Sequence, residues 1–361
     1  MSMLNEIGRS GKKRDETNFF VRIFKFLLPW KGDSFQDVLR KFVFIGSCVA
    51  FCYAGVLLFE YGFGSQEDNA LENSILDIMA GNPDDSRDTS QNNQPSVNPD
   101  DDTYVPREIL GKYEQLLEIN PDTVGMIKIP GLLNPDGVCY VEYPVVQGPD
   151  NVFYAEHNFT KEPSQGGWVF ADYKAILTDT YVSDNITLYG HNLASGRMFR
   201  HVNDYKSGFN TYSSVYYPEG GLEVLKAANL VQFDTLWQES DYVIFAVFVT
   251  GIYDYQDDGH LFEYFKTREI TTQEDFDYFY DNVMKRSLFL SDIEVEFGED
   301  LLTLSTCSAV FEDSRCVVVA RKLRPGETAE QYIDSYTLNP DPWLPYALYE
   351  TYGGMLDEPN H

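Results

Sequence analysis

Short apolar runs, separated by glycine, proline, asparagine and aspartate, fill the chain between about residue 105 and residue 325. Runs of this length and spacing are typical of β-strands and predict a mostly β protein. They predict strands at residues 124–129, 138–146, 167–171, 185–189, 230–233, 242–250, 301–305 and 316–322. Many short strands with few helices predict a β-barrel with appended helices.

Two segments of this region have the 3.6-residue apolar spacing of helices. The first covers residues 107–119. The second covers residues 272–286, with Thr271 or Thr272 as the N-cap before Glu274. Both are predicted as helices that lie outside the barrel.

A longer apolar run without a charged residue extends from Phe42 to Phe59. As a helix it would be about 27 Å long, close to the bilayer's apolar thickness of about 30 Å. Basic residues precede it and acidic residues follow it, so residues 42–60 are predicted as a single transmembrane anchor with the N-terminus in the cytoplasm. A cleaved signal peptide is the alternative, but the run is long and no small-x-small cleavage site follows.

The anchor divides the chain into predicted segments. Residues 1–41 form a basic cytoplasmic segment, and residues 61–104 form an acidic, disordered stalk, in which residues 82–102 have too few apolar residues to fold. A short helix is expected at residues 71–79 before them. A folded domain that contains the predicted strands is expected at residues 105–325. A C-terminal extension, residues 326–361, is acidic and rich in aromatic residues.

The formal net charge is −30, from 27 Lys and Arg against 57 Asp and Glu. Nucleic acid is therefore excluded as a partner, because phosphate binding needs clustered basic residues. Five cysteines in a chain of 361 residues do not make a disulfide scaffold. A Cys139–Cys316 bridge stays open on the sequence alone.

Three reactive side chains lie at the ends of predicted strands. Cys307 follows the strand at 301–305, His191 follows the strand at 185–189, and Arg315 precedes the strand at 316–322. A fixed cation beside an exposed thiol favours the thiolate nucleophile. The three residues predict acyl transfer through a thioester, although an inert, buried strand cysteine is the alternative for Cys307.

These residues resemble motifs of the sortases, the membrane-anchored transpeptidases of Gram-positive cell walls. Residues 303–307, TLSTC, match the TLxTC motif of that family, Gly190-His191 matches its histidine motif, and Arg315 matches its arginine. The resemblance covers roughly residues 105–325. It is strongest to class B, through the segments at residues 120–130, 143–148, 196–199 and 272–287.

The resemblance implies a sortase-type closed eight-stranded β-barrel. It implies Cys307 as the nucleophile, His191 as the acid and base, and Arg315 as the group that stabilises the oxyanion. It also implies a substrate pocket shaped by Ser305, Thr306, Ser308 and Asn192. No cofactor and no metal ion are expected.

For a sortase, the substrates would be secreted proteins with a C-terminal sorting signal, cleaved at a Thr–x bond. The acceptor would be a cell-wall amine, such as that of a lipid-linked peptidoglycan unit. The catalytic domain would then lie outside the cell membrane and face the wall. Two alternatives are a pilus-type sortase that joins subunits through a lysine, and a surface-anchored scaffold or binding domain on a sortase fold.

Overall fold

The computed structural model describes residues 26–80, 107–206 and 218–352. Most of the predicted basic segment, the stalk residues 81–104 and the chain after residue 352 lie outside the described residues. The chain divides into two compact units, Met1–Gln66 and Glu67–His361.

The first unit contains the start of helix α1, which extends from Phe35 to Ala80. Within the described residues, Phe35–Gly55 is the one helical stretch long and apolar enough to cross a membrane. Length and composition alone support this interpretation, and core helices and signal sequences share both properties. The anchor at residues 42–60 therefore stays a prediction.

The end of α1 belongs to the second unit and includes the short helix expected at residues 71–79. The helix is longer than expected, because it continues without a break from the preceding residues to Ala80. Ile75 is buried, and Leu71, Ile78 and Met79 pack against the same core. Their spacing forms an apolar stripe on one face of the helix, which is stabilised by packing that the acidic composition conceals.

The described residues contain ten strands. Their bounds are β1 Thr123–Lys128, β2 Glu142–Val146, β3 Phe170–Ala171, β4 Asn185–Tyr189, β5 Leu230–Thr235, β6 Asp241–Thr250, β7 Phe289–Leu290, β8 Leu301–Cys307, β9 Arg315–Lys322 and β10 Thr337–Leu338. Eight of them form a closed barrel in the order β1-β2-β3-β4-β8-β9-β6-β5. The predicted eight-stranded barrel is confirmed, and its strands match the eight predicted segments.

Strand β8 carries Cys307 at its end and lies between two other strands of the barrel. It pairs in parallel with β4 and antiparallel with β9. All of its residues are buried except Cys307 at the end. No residue of β8 is charged, as expected for a strand buried on both faces, and its buried polar residues are Thr303, Ser305 and Thr306.

Besides α1 and several short 3-10 helices, the described residues contain four α-helices. They are α2 Glu114–Ile119, α3 Pro218–Ala227, α4 Gln273–Arg286 and α5 Tyr346–Tyr352. Thr272 caps α4 and accepts a hydrogen bond from the Asp275 amide, as the predicted N-cap requires. The sequence analysis missed α3, because two adjacent glycines oppose helix formation. A Cβ at Gly221 would lie 2.3 Å from the Tyr205 carbonyl oxygen, so the close approach needs glycine there.

The described part of the C-terminal extension packs on the same unit. Strand β10 pairs with β7 in a two-stranded sheet. Tyr336, Leu344 and Leu348 are buried. The aromatic composition of this segment therefore serves packing.

Candidate active site

The three predicted reactive residues lie level with one another at one end of the barrel. Cys307 ends β8, and its register partner on β9 is Arg315. On the other side of β8, Tyr189 is paired with Ser305. The Gly190 amide continues this pairing with a 3.3 Å bond to the Ser305 carbonyl, which brings His191 to the level of Cys307.

Cys307 therefore lies on the middle strand of three, with His191 on one neighbour and Arg315 on the other. Adjacent strands are about 5 Å apart, so each partner backbone lies within side-chain reach of the thiol. Cys307 is exposed, while His191 and Arg315 are half-buried. The arrangement offers a thiol, an imidazole and a guanidinium to one substrate.

The Arg315 guanidinium is held by the loop that immediately precedes β9. One terminal nitrogen, Nη1, donates to the carbonyl oxygens of Asp313 at 3.0 Å and Ser314 at 3.1 Å. In the described residues, its Nε and Nη2 have no such bonds. The guanidinium is thus anchored on one side and keeps donors for an anionic oxygen on the other.

A hydrogen bond fixes the tautomer of His191. Its Nε2 lies 2.7 Å from the carbonyl oxygen of Ala155. A carbonyl oxygen only accepts, so Nε2 carries the hydrogen and Nδ1 is the nitrogen left to exchange a proton. No such partner of Nδ1 is found in the part of the chain that the structure describes.

The loop that presents the Ala155 carbonyl is itself packed tightly. A Cβ at Gly167 would lie 2.7 Å from that carbonyl oxygen, and Gly167 has a φ of 55°. Glycine is therefore required twice, for space and for backbone conformation. His157, in the same loop, stacks on Phe153 and contacts its carbonyl oxygen, a structural role.

The predicted pocket residues are closer to the interior than to the surface. Ser305, Thr306 and Ser308 are buried, and Asn192 is half-buried in a bridge with Met198. The Thr306 and Ser308 hydroxyl oxygens have no hydrogen-bond partner among the described residues. The Ser308 amide donates to the Ser314 carbonyl oxygen at 2.8 Å, so that amide already has an acceptor.

Two residues near the site were missed by the sequence analysis. The Tyr264 hydroxyl is 2.7 Å from the Ser305 hydroxyl, and burial raises the pKa of this tyrosine to about 12. The Asn203 side chain donates to the Cys307 carbonyl oxygen at 3.1 Å. Tyr264 thus holds the Ser305 side chain and Asn203 holds the Cys307 backbone, and neither residue belongs to a motif that could have revealed it.

The remaining thiols have different surroundings. All five cysteines are free, so no Cys139–Cys316 bridge forms. Cys316 is fully buried, and burial raises the pKa of its thiol to about 12. A thiol with so high a pKa is inert at neutral pH.

Sequence comparison finds curated relatives that match about half of this chain. The chain is 27% identical over 215 residues to sortase B of Staphylococcus aureus, covering 59% of this chain and 75% of that protein. It is 26% identical over 163 residues to sortase B of Listeria monocytogenes, covering 45% of this chain and 56% of that protein. No family model matches.

Comparison with solved structures finds sortase B chains as well. The chain is 30% identical to the sortase B of Clostridium perfringens, covering 58% of this chain and 99% of that one, with a TM-score of 0.47. A second, described as a Staphylococcus aureus sortase B–substrate complex, is 26% identical, with 60% and 87% covered and a TM-score of 0.48.

Proposed function

Because this chain belongs to the sortase family as a class B sortase, we propose that it is a cysteine transpeptidase that cleaves a sorting signal at a Thr–x bond and transfers the acyl group to a cell-wall amine. The observation that carries the proposal is the strand register that sets Cys307 between Arg315 and His191. Acyl transfer needs these three chemical roles side by side.

In the proposed first half-reaction, the Cys307 thiolate attacks the threonine carbonyl carbon. The carbonyl electrons move to oxygen, and the free donors of Arg315 stabilise the resulting oxyanion. The C–N bond then breaks, and His191, which holds on Nδ1 the proton taken from the Cys307 thiol, gives that proton to the leaving amine. A thioester between the substrate acyl group and Cys307 remains.

In the second half-reaction, the acceptor amine attacks the thioester carbon and loses a proton to His191. Collapse of this intermediate forms the new amide bond and releases the Cys307 thiolate. The histidine is thereby protonated again, so the cycle needs no cofactor and no metal ion. The contact between Nε2 and Ala155 keeps Nδ1 as the exchanging atom in both halves.

The pocket residues have a supporting part in this proposal. The two unpartnered hydroxyls belong to Thr306 and Ser308, the buried residues immediately before and after Cys307 in the chain. A buried hydroxyl without a partner carries a free-energy cost that a bound peptide could remove. Ser305, tied to Tyr264, and Asn192 would shape the walls of the pocket.

The proposed location follows from the basic-to-acidic change across the apolar helix. Residues 42–60, which overlap the apolar helical stretch Phe35–Gly55, would cross the cell membrane once, with the N-terminus in the cytoplasm and the catalytic unit facing the wall. Its partners would be secreted proteins with a C-terminal sorting signal and the amine of a lipid-linked peptidoglycan unit.

The test is cleavage and transfer by the full chain in mild detergent. A peptide library of sorting-type sequences is offered with either a peptidoglycan-type amine or a lysine-bearing peptide, and products are read by mass spectrometry. We expect one Thr–x bond to be cut and a thioester to be trapped on Cys307.

Matched cysteine variants decide the outcome. Cys307→Ala should abolish cleavage, whereas Cys139→Ala, which removes a half-buried thiol outside the site, should retain it. Cleavage that persists in Cys307→Ala would contradict the proposal. Transfer to the lysine peptide alone would assign the amine of another protein as the acceptor.

A further inference from the structure

The end of helix α1, residues 67–80, carries two acidic side chains that face the barrel. Asp68 and Glu72 have side chains that are 15% and 14% exposed. They lie on the same face as Ile75, which is buried in the core. Carboxylates are rarely buried this far without a specific partner.

Glu72 connects to the loop that follows His191. Its Oε1 accepts a 2.8 Å hydrogen bond from the Tyr143 hydroxyl. The same hydroxyl oxygen accepts a 3.1 Å bond from the Met198 amide. The Tyr143 hydroxyl thus links the Glu72 carboxylate to the backbone of Met198. Because Tyr143 is buried and held by packing, a shift of Glu72 would displace that backbone.

Met198 belongs to a short hairpin that begins at His191. Asn192 pairs with Met198, and the Phe199 amide donates to the His191 carbonyl oxygen at 3.0 Å. Met198 has a φ of 57°, a left-handed conformation that a non-glycine residue holds only with support from its surroundings. The hydrogen bond from its amide to Tyr143 supplies such support.

Arg197 strengthens the same link. Its guanidinium is 10% exposed and lies 3.5 Å from Glu72 and 4.0 Å from Asp68. A partly buried pair of this kind is costly to break, because removing one partner leaves the other charge without compensation.

Asp68 reaches the other side of His191. It accepts a 2.6 Å hydrogen bond from the Ser164 hydroxyl. The Ser164 amide donates to the Glu156 carbonyl oxygen at 2.8 Å, next to the Ala155 carbonyl that holds the His191 ring. One helix thus supports both the backbone hairpin and the ring acceptor of the histidine.

We propose that residues 67–80 of helix α1 form a positioning element for His191, acting through Glu72 and Tyr143 on the hairpin and through Asp68 and Ser164 on the ring. Glu72, Tyr143 and Asp68 are positioning residues, since none of them reaches the reacting atoms. This inference rests on the proposed function of His191 as the acid and base.

The first test compares two tyrosine substitutions in the full chain. Tyr143→Phe keeps the ring and removes the hydroxyl that joins Glu72 to Met198. Tyr332→Phe removes a similar tyrosine–glutamate bond, from Tyr332 to Glu327, beyond the far end of β9. We expect Tyr143→Phe to lower kcat roughly 10- to 100-fold with little change in KM, because misplacing a catalytic group slows chemistry more than binding.

The glutamate gives a graded second test. Glu72→Ala should lower kcat as Tyr143→Phe does, whereas Glu72→Gln keeps an oxygen that accepts from Tyr143 and should restore part of it. Glu67→Gln, an exposed position on the same helix, should leave kcat unchanged. Equal losses in Tyr143→Phe and Tyr332→Phe, or full activity in Glu72→Ala, would overturn the proposal.

A readout without turnover separates this inference from the proposed function. In protein labelled with ¹⁵N-histidine, the ring nitrogens of His191 are assigned by His191→Gln and report the Nε2–H tautomer. We expect their resonances to shift in Tyr143→Phe and to stay in Tyr332→Phe. An inactive wild type would refute the transpeptidase, while an unshifted His191 in Tyr143→Phe would refute the positioning element alone.

Discussion

At the scale of single residues, the surroundings of a thiol decide its chemistry. Cys307 and Cys316 are on adjacent paired strands, yet Cys307 is exposed and Cys316 is fully buried. Burial disfavours the charged thiolate and raises the pKa of Cys316 to about 12. Exposure therefore distinguishes Cys307, the proposed nucleophile at the end of β8, from the buried thiol of Cys316.

This contrast predicts the pattern of alkylation. Brief treatment of the folded chain with iodoacetamide at neutral pH should modify Cys307 and leave Cys316 intact, as read by peptide mapping. The raised pKa of Cys316 leaves almost no thiolate, and burial blocks access. Unfolding in urea should make both thiols reactive, and modification of Cys316 in the folded chain would contradict the burial.

At the scale of elements, the site is made by the register of β4, β8 and β9. Side chains alternate along a strand, so a slip of one residue would turn Cys307 toward the interior. Gly190 helps hold this register, because a Cβ there would lie 2.7 Å from the Phe199 ring. The glycine lets the chain after β4 pass close to the hairpin that it precedes.

Gly190→Ala tests this close approach. The added methyl group should displace Phe199 and with it the backbone at His191, and lower kcat/KM by roughly 10-fold or more. Gly111→Ala is the matched control, since a Cβ there meets no atom within 4 Å. Equal activity of the two variants in the peptide-cleavage assay would show that the hairpin tolerates the shift.

Patterns along the sequence predicted the strands and the three reactive residues, because each depends on local alternation or on a short motif. The link from Glu72 through Tyr143 to Met198 could not be predicted in this way. Its members are far apart in the chain, and the acidic composition around residue 72 indicated a stalk. Only tertiary packing distinguishes a solvated glutamate from one that accepts a buried hydroxyl.

At the scale of the whole molecule, a net charge of −30 produces self-repulsion at neutral pH. Burial raises the pKa of the Glu72 and Asp184 carboxyls. Their contribution to the stability of the folded state is therefore greatest at low pH, and it is lost as the pH rises through their folded-state pKa. Burial of Asp172 acts in the same sense, but hydrogen bonds from Arg268 and Asn151 outweigh it and lower the pKa of that carboxyl. The stabilisation that Asp172 provides is present above the pKa of this carboxyl in the unfolded chain. It is lost as the pH falls through the lower pKa of the folded chain.

The melting temperature should therefore have its maximum below neutral pH, at about pH 5, and fall steeply below about pH 4. Asp172→Asn should lower the melting temperature at neutral pH, because Arg268 loses its charged partner, and should flatten the decline in acid. Asp277→Asn, at an exposed position on α4, is the control. Circular dichroism of the full chain across this pH range gives both curves, and identical curves for Asp172→Asn and the wild type would contradict the assignment.

The parallel pairing of β4 with β8 also has a consequence for the order of folding. Strands β5 and β6 and helices α3 and α4 all lie between the two partners in the chain. Contacts that close so long a loop form late, because the entropy of closure must be overcome first. A nascent or half-folded chain would thus carry the Cys307 thiol without His191, its proposed proton donor, beside it. Under the proposed function, topology would delay acylation of Cys307 until the barrel is complete, and a half-folded chain would not accumulate as a thioester that it cannot resolve.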